Sequence, residues 1–177
     1  SVTDQRGIEK MIEGILSKWG RIDILINNAG ILRDKSFSKL SIEDFKTVID
    51  VHLMGSVICS KAVWEQMKTQ KFGRIVMTTS SSGVYGNFGQ SNYGSAKMGL
   101  IGLMNVLAIE GAKYGIIVNS LSPTAATRMT ENIIESDSLK LLNVESVTAG
   151  LLFLVSEYAS SRVILAAGAG GYAVTKI

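Results

Sequence analysis

Apolar residues at Ile8, Met11, Ile12, Ile15 and Leu16 recur three and four apart, which predicts a helix over 4–19 with Thr3 or Asp4 as its cap. The run 22–27 (Ile-Asp-Ile-Leu-Ile-Asn) is too short for a helix and suits a strand buried on both faces. A long helix is expected over 41–69, opening Ser41-Ile42-Glu43-Asp44 with an acidic first turn that complements the helix dipole. Its apolar positions Phe45, Val48, Ile49, Leu53, Val57, Ile58, Ala62 and Met67 wrap much of the circumference, so it should pack on a sheet and on a second surface, such as another subunit. There follow a strand at 74–79, a helix at 91–114, a strand at 116–121, a helix at 144–158 and a closing strand at 163–167. Gly99 and Gly102 weaken the 91–114 helix relative to alanine and point to close approach of a neighbouring helix. Such alternation argues for one α/β domain built on a parallel, doubly wound sheet, with no internal repeat or linker.

Composition narrows the class. The 46% hydrophobic and 19% charged residues are those of a folded globular chain. The net charge is +3, but the basic residues are scattered, so nucleic acid is not expected as a partner. The single cysteine, Cys59, falls in the apolar pattern of the long helix and allows no disulfide within the chain, which suits a reducing compartment. No run of 18 strongly apolar residues predicts a membrane span, no signal peptide is visible, and Val174-Thr175-Lys176-Ile177 is not a Ser-Lys-Leu-type address. No His/Cys/Asp/Glu cluster has metal-ligand spacing. The chain opens on Ser1 almost directly into a helix and reads as cut from something longer.

The chemistry is concentrated in Tyr93-Gly94-Ser95-Ala96-Lys97, with Ser80 thirteen residues upstream. Tyr93 and Lys97 at i,i+4 share one helix face. A phenol titrating near 10 is a poor acid–base group at neutral pH, and an ammonium one turn away would favour its ionised form. Ser80, at the end of the 74–79 strand, can hold a carbonyl oxygen that Tyr93 protonates.

Together with the strand that closes on Asn27-Asn28-Ala29-Gly30, this set closely resembles the short-chain dehydrogenase/reductase family over essentially the whole chain. Asp50-Val51-His52-Leu53-Met54-Gly55, Ser82 to Gln90 and Arg128-Met129-Thr130 resemble more finely the (3R)-hydroxyacyl-CoA dehydrogenase units of peroxisomal multifunctional enzymes of type 2 and bacterial relatives. The resemblance implies a Rossmann-like doubly wound parallel sheet that lacks the first three strands of the family fold. The glycine-rich phosphate turn would lie among those strands, before Ser1. Ala167-Gly168-Ala169-Gly170-Gly171 follows a strand but leaves too few residues for the helix that the phosphate motif requires, and Gly83, Gly86 and Gly89 match a substrate-side loop. With no strand before it, the 22–27 strand would be an apolar exposed edge.

By the same resemblance Tyr93 is the general acid–base, Lys97 lowers its pKa and binds the nicotinamide ribose, and Ser80 polarises the substrate carbonyl. His52 stands where most of the family has a proton-relay asparagine. Asn27, Ala29 and Gly30 would face the adenosine ribose, with Pro123 and Thr127 near the nicotinamide amide and pyrophosphate. Arg128 would contact an acyl-CoA phosphate. The implied cofactor is NAD, with NADP not excluded, and the implied substrate is an acyl thioester. A homodimer or homotetramer is implied through the 41–69 and 91–114 helices. A cytoplasmic location is expected, with the peroxisomal matrix as the alternative. Two other readings stay open: a 3-oxoacyl-carrier-protein reductase-like NADP enzyme, and a non-catalytic fragment or split subunit needing a partner for its missing strands.

Overall fold

The computed structural model describes residues 1–127, 130 and 140–175. Helix α1 (Gln5–Trp19) starts where the Asp4 carboxylate accepts the Gly7 N–H at 3.0 Å, and it ends at Gly20 in the left-handed region. Strand β1 (Ile24–Asn27) leads through a long loop to α2 (Ile42–Ile49), capped by the Ser41 hydroxyl. A π-turn over Asp50–Met54 joins α2 to α3 (Gly55–Gln70). Then come β2 (Gly73–Thr78), a short α4 (Ser81–Tyr85), α5 (Ser91–Gly111) and β3 (Ile116–Pro123). The order closes with α6 (Val144–Val155), β4 (Ile164–Gly168) and β5 (Gly171–Thr175).

The strands lie in the order β1-β2-β3-β4-β5, with the first three pairings parallel. Side chains alternate across the sheet, so Ile75 and Met77 of β2 face one way and Val76 the other. The first face packs with Ile8 and Ile12 of α1, Val63 and Met67 of α3, and Leu100, Ile101 and Met104 of α5. The second packs Val76, Leu121 and Leu165 against Leu154 of α6. Helices therefore cover both faces, as a doubly wound sheet requires. Burying a side chain the size of Met67 completely contributes on the order of 2–3 kcal/mol, and these two layers hold the strand ends in place.

The structure corrects several expectations. A fifth strand, β5, pairs antiparallel with β4 through a two-residue turn, Ala169-Gly170, both at positive φ. The expected all-parallel closure at 163–167 is thus extended by a hairpin. Strand β1 begins at Ile24 and not at residue 22, because the Gln70 side chain takes both the Ile22 N–H (2.9 Å) and its carbonyl (2.8 Å). The 144–158 helix stops at Val155, where Ser156 turns extended and its N–H bonds Phe153 O. Of the two helix glycines, Gly99 lies against Leu53, whereas Gly102 faces open space. Within the 29 residues of α2–α3 an 18-residue window reaches a mean hydropathy of 1.2, enough by length and composition for a membrane span, but Val48, Val63 and Met67 are buried against the rest of the fold.

Candidate active site

The site forms where the carboxyl end of β2 meets the first turns of α5. Thr79 joins them: its N–H bonds Leu121 O at 2.7 Å and its hydroxyl donates to Lys97 O at 2.9 Å. The chain then turns at Ser80, whose Oγ accepts the Ser82 N–H at 3.2 Å and so caps α4. Gly83 lets α4 lie directly on α5, since a Cβ there would come within 2.9 Å of Lys97 Cβ and of the Met98 nitrogen. Tyr93 is half-buried in the first turn of α5, and the Ser80 side chain acts on its phenol in favour of the ionised form.

Lys97 follows one turn later and is 3% exposed. Its Nζ donates to Thr78 O at 2.5 Å and sits 5.3 Å from the centre of the Tyr93 ring. The π-turn brings in the fourth member: the His52 ring stands edge-on to Tyr93 at 5.2 Å and 89°. His52 is buried, with Nε2 2.8 Å from Ile31 O and 3.0 Å from Ile31 N, so it either donates to the carbonyl or accepts from the amide. Its Nδ1 is buried without a partner. Gly30 must be glycine here, because a Cβ would lie 2.3 Å from His52 Cε1. Ser80, Tyr93, Lys97 and His52 are therefore brought together as the sequence predicts.

Their electrostatics depart from the prediction. Burial raises the Tyr93 phenol above its ordinary value, the Ser80 side chain opposes this, and the Asp34 charge adds to the rise. The expected pull of Lys97 on the phenol is not what this geometry gives, because the ammonium is turned onto the Thr78 carbonyl. Burial brings Lys97 itself down to about 8. His52 falls to about 4, chiefly through burial, then through the Lys97 charge, with the Ile31 backbone bond opposing. Desolvation has drawn all three towards their neutral forms.

The residues expected at the cofactor lie at the same end of the sheet but play different parts. Asn27 points inward, its Nδ2 donating to Ser60 Oγ at 3.0 Å and lying 3.2 Å from Met77 Sδ, so it braces the turn with its side chain. Asn28, Ala29 and Gly30 are exposed, and Asn28 Oδ1 accepts from the Thr78 hydroxyl at 3.0 Å. Pro123 ends β3 opposite Ala167, and Thr127 lies in an exposed turn beside Thr130. Arg128 lies outside the described residues. A cavity of about 480 Å³ runs along β1 and includes Asn27, Asn28 and Ala29, with Val51, Gly55 and Ser56 on its helical wall. Tyr93 does not line it.

Three residues near Tyr93 escaped the sequence reading: Asp34, Gln90 and Asn92. Their partners lie 56 to 59 positions away along the chain, and no local spacing signals such a link.

The short chain dehydrogenase family matches residues 1–138. The chain is 53% identical over 149 residues to the peroxisomal hydratase-dehydrogenase-epimerase of Saccharomyces cerevisiae, covering 84% of this chain and 17% of that protein. It is 50% identical over 149 residues to the peroxisomal multifunctional enzyme type 2 of Mus musculus, covering 84% of this chain and 20% of that one. The solved structure of full-length peroxisomal multifunctional enzyme type 2 from Drosophila melanogaster superposes with a TM-score of 0.83 at 40% identity, covering all of this chain and 30% of that chain. The chain thus spans about a fifth of the length of these two curated relatives. On the fold, the Ser80–Tyr93–Lys97 geometry and these likenesses, the chain belongs to the short-chain dehydrogenase family.

Proposed function

We propose that this chain is the dehydrogenase part of an enzyme that interconverts (3R)-hydroxyacyl and 3-oxoacyl thioesters of coenzyme A, with Tyr93 as the general acid–base. The observation that carries this reading is the clustering of side chains around Tyr93, with the buried Lys97 Nζ 5.3 Å from its ring centre, the buried His52 ring edge-on to it at 5.2 Å, and the Ser80 side chain acting on its phenol. Tyr93 is placed to take the proton of a secondary alcohol, or to return one to a ketone, while the Ser80 hydroxyl holds the same oxygen.

NAD would supply the hydride acceptor. The residues present fit its nicotinamide ribose: one hydrogen bond, to Thr78 O, is described for the Lys97 ammonium, which leaves donors for a ribose diol. The glycine turn expected for the phosphates is not among these residues, and neither is the residue after the family's second strand that would separate NAD from NADP. Both relatives above are named as peroxisomal, which favours the peroxisomal matrix over the cytoplasm. A second copy of the chain is proposed to cover the outer faces of α3 and α5.

The test is Tyr93→Phe in the holoenzyme, followed by NADH absorbance with a 3-oxoacyl-CoA. Turnover is expected to fall by about 10²- to 10⁴-fold, the usual contribution of a positioned acid–base group, with NADH binding retained. Activity within a few-fold of the parent enzyme would sink the assignment.

A further inference from the structure

Helix α5 opens without the usual side-chain cap: Gln90 stands at its N-cap, and the Gln90 side chain makes no capping bond to the first turn. Tyr93 is the third residue inside the helix, where a backbone N–H has no acceptor within the helix itself. The side chain of Asn92 supplies one, its Oδ1 accepting the Tyr93 N–H at 2.8 Å. The same carboxamide also reaches out of the helix. Its Nδ2 donates to Arg33 O, in the segment that follows β1, at 3.0 Å. Asn92 is completely buried, and an amide there is costly to hold unless its oxygen and its nitrogen both find partners. An N–H on one side and a C=O on the other admit only one orientation of the group.

Two further ties join that segment to this end of α5: the Lys35 N–H donates to Gly89 O at 2.9 Å, and Gln90 Nε2 donates to Asp34 Oδ2 at 2.7 Å. Both stop short of the tyrosine. The Asn92 tie ends on Tyr93 itself. The same segment also holds His52, whose Nε2 lies 2.8 Å from Ile31 O, and the His52 and Tyr93 rings meet edge-on at 5.2 Å. Ile31 and Arg33 are next neighbours but one, so both rings are fastened to one short stretch of backbone. We propose that Asn92 is a positioning residue for Tyr93: by bridging the Tyr93 N–H and Arg33 O, it fixes the phenol relative to the segment after β1 and so to His52. Both of its bonds go to backbone, so it acts through the place of the tyrosine and not on the substrate. This rests on the reading of Tyr93 as the acid–base group.

The test is Asn92→Leu in the holoenzyme, a side chain of nearly the same size that makes neither bond, with reduction of a 3-oxoacyl-CoA followed by NADH absorbance. The turnover number kcat should fall by about 10- to 100-fold, the scale of loss that a misplacement of about 1 Å brings. KM for the thioester and the Kd for NADH should stay within about twofold, because neither ligand loses a contact. The second readout is the same substitution made in Tyr93→Phe. With the phenol hydroxyl gone there is nothing left to position, so the residual rate should fall no further, whereas a general loosening of the fold would lower both rates by the same factor. Asn92→Ser keeps a hydroxyl at the helix start but is too short to span both groups. It should show the same split, and it carries the test if the leucine enzyme does not fold. Unchanged kcat in either variant would overturn the proposal. So would a kcat loss matched by weaker NADH binding, or a Tyr93→Phe enzyme slowed as much as the parent by the second substitution. A Tyr93→Phe enzyme that stays active would instead condemn the assignment of Tyr93 itself, so the two failures are distinguishable.

Discussion

His52 shows how a single residue can be well placed and still carry a cost. Its Nε2 is engaged by the Ile31 backbone, Gly30 leaves room for its ring, and its Nδ1 has no partner in a dry environment. Holding the imidazole at about 4, against an ordinary 6.5, means that the folded chain binds fewer protons than the unfolded chain between those values. Stability contributed this way is complete above the ordinary value and is lost as the pH falls from about 6.5 towards 4, to a total of about 3 kcal/mol. His52→Asn should remove most of that slope. Urea midpoints measured at the two ends of the window should drop less in the variant than in the parent, and equal drops would refute the idea. At this scale the sequence was legible where chemistry follows spacing along one element: Tyr93 and Lys97 lie one turn apart, and Ser80 closes a strand. It was not legible where a side chain answers to a distant backbone group. The lysine amine is captured by Thr78 O, and the Asn92 amide reaches back 59 positions to Arg33 O.

Among elements, the hydrophobic pattern carried most of the information. A stripe at three and four spacing marked α1, and buried runs marked β2 and β3. The π-turn left no such trace, because inserting one residue into a helical turn shifts register without changing composition. Its effect is local: Gly55 N–H bonds Asp50 O, and the Ser56 hydroxyl bonds His52 O at 2.6 Å. Strand β5 was hidden behind a run of glycines that resembles a phosphate loop, although Ala169-Gly170 is a hairpin turn. The expectation that the long helix needs two covered surfaces can be put to use. Between α3 and α5 runs a groove of about 300 Å³ with Val57, Trp64, Leu103 and Leu107 in its walls. Val106 and Ile109, 52% and 65% exposed, continue its apolar surface along α5. If a second copy covers this face, Ile109→Lys should halve the sedimenting mass of the holoenzyme without changing its circular dichroism. An unaltered sedimentation coefficient would remove this face from the assembly.

The molecule as a whole is asymmetric at its two sheet edges. At one end the β5 hairpin closes the sheet with a short strand exposed along its whole length, an edge of the kind that discourages further pairing. At the other, β1 has no neighbour beyond it among the described residues. Ile24 there is 47% exposed, and the 480 Å³ cavity alongside is walled by Val2, Ile8, Met11, Leu25 and Ile26. A parallel strand with both faces apolar is ordinarily found inside a sheet, and an unpaired one presents its N–H and C=O groups as a template for another chain. These 177 residues expressed on their own should therefore self-associate through β1, and the sequence already announces it in the uninterrupted Ile24-Leu25-Ile26. Ile24→Lys places a charge on that edge and should lower light scattering on concentration. Phe153→Lys, at an equally exposed position on α6 (46%), serves as the comparison, because it adds the same charge away from β1. A lysine effective at Ile24 alone ties association to the open edge. Equal protection by both would mean that added net charge, and not strand pairing, keeps the chains apart.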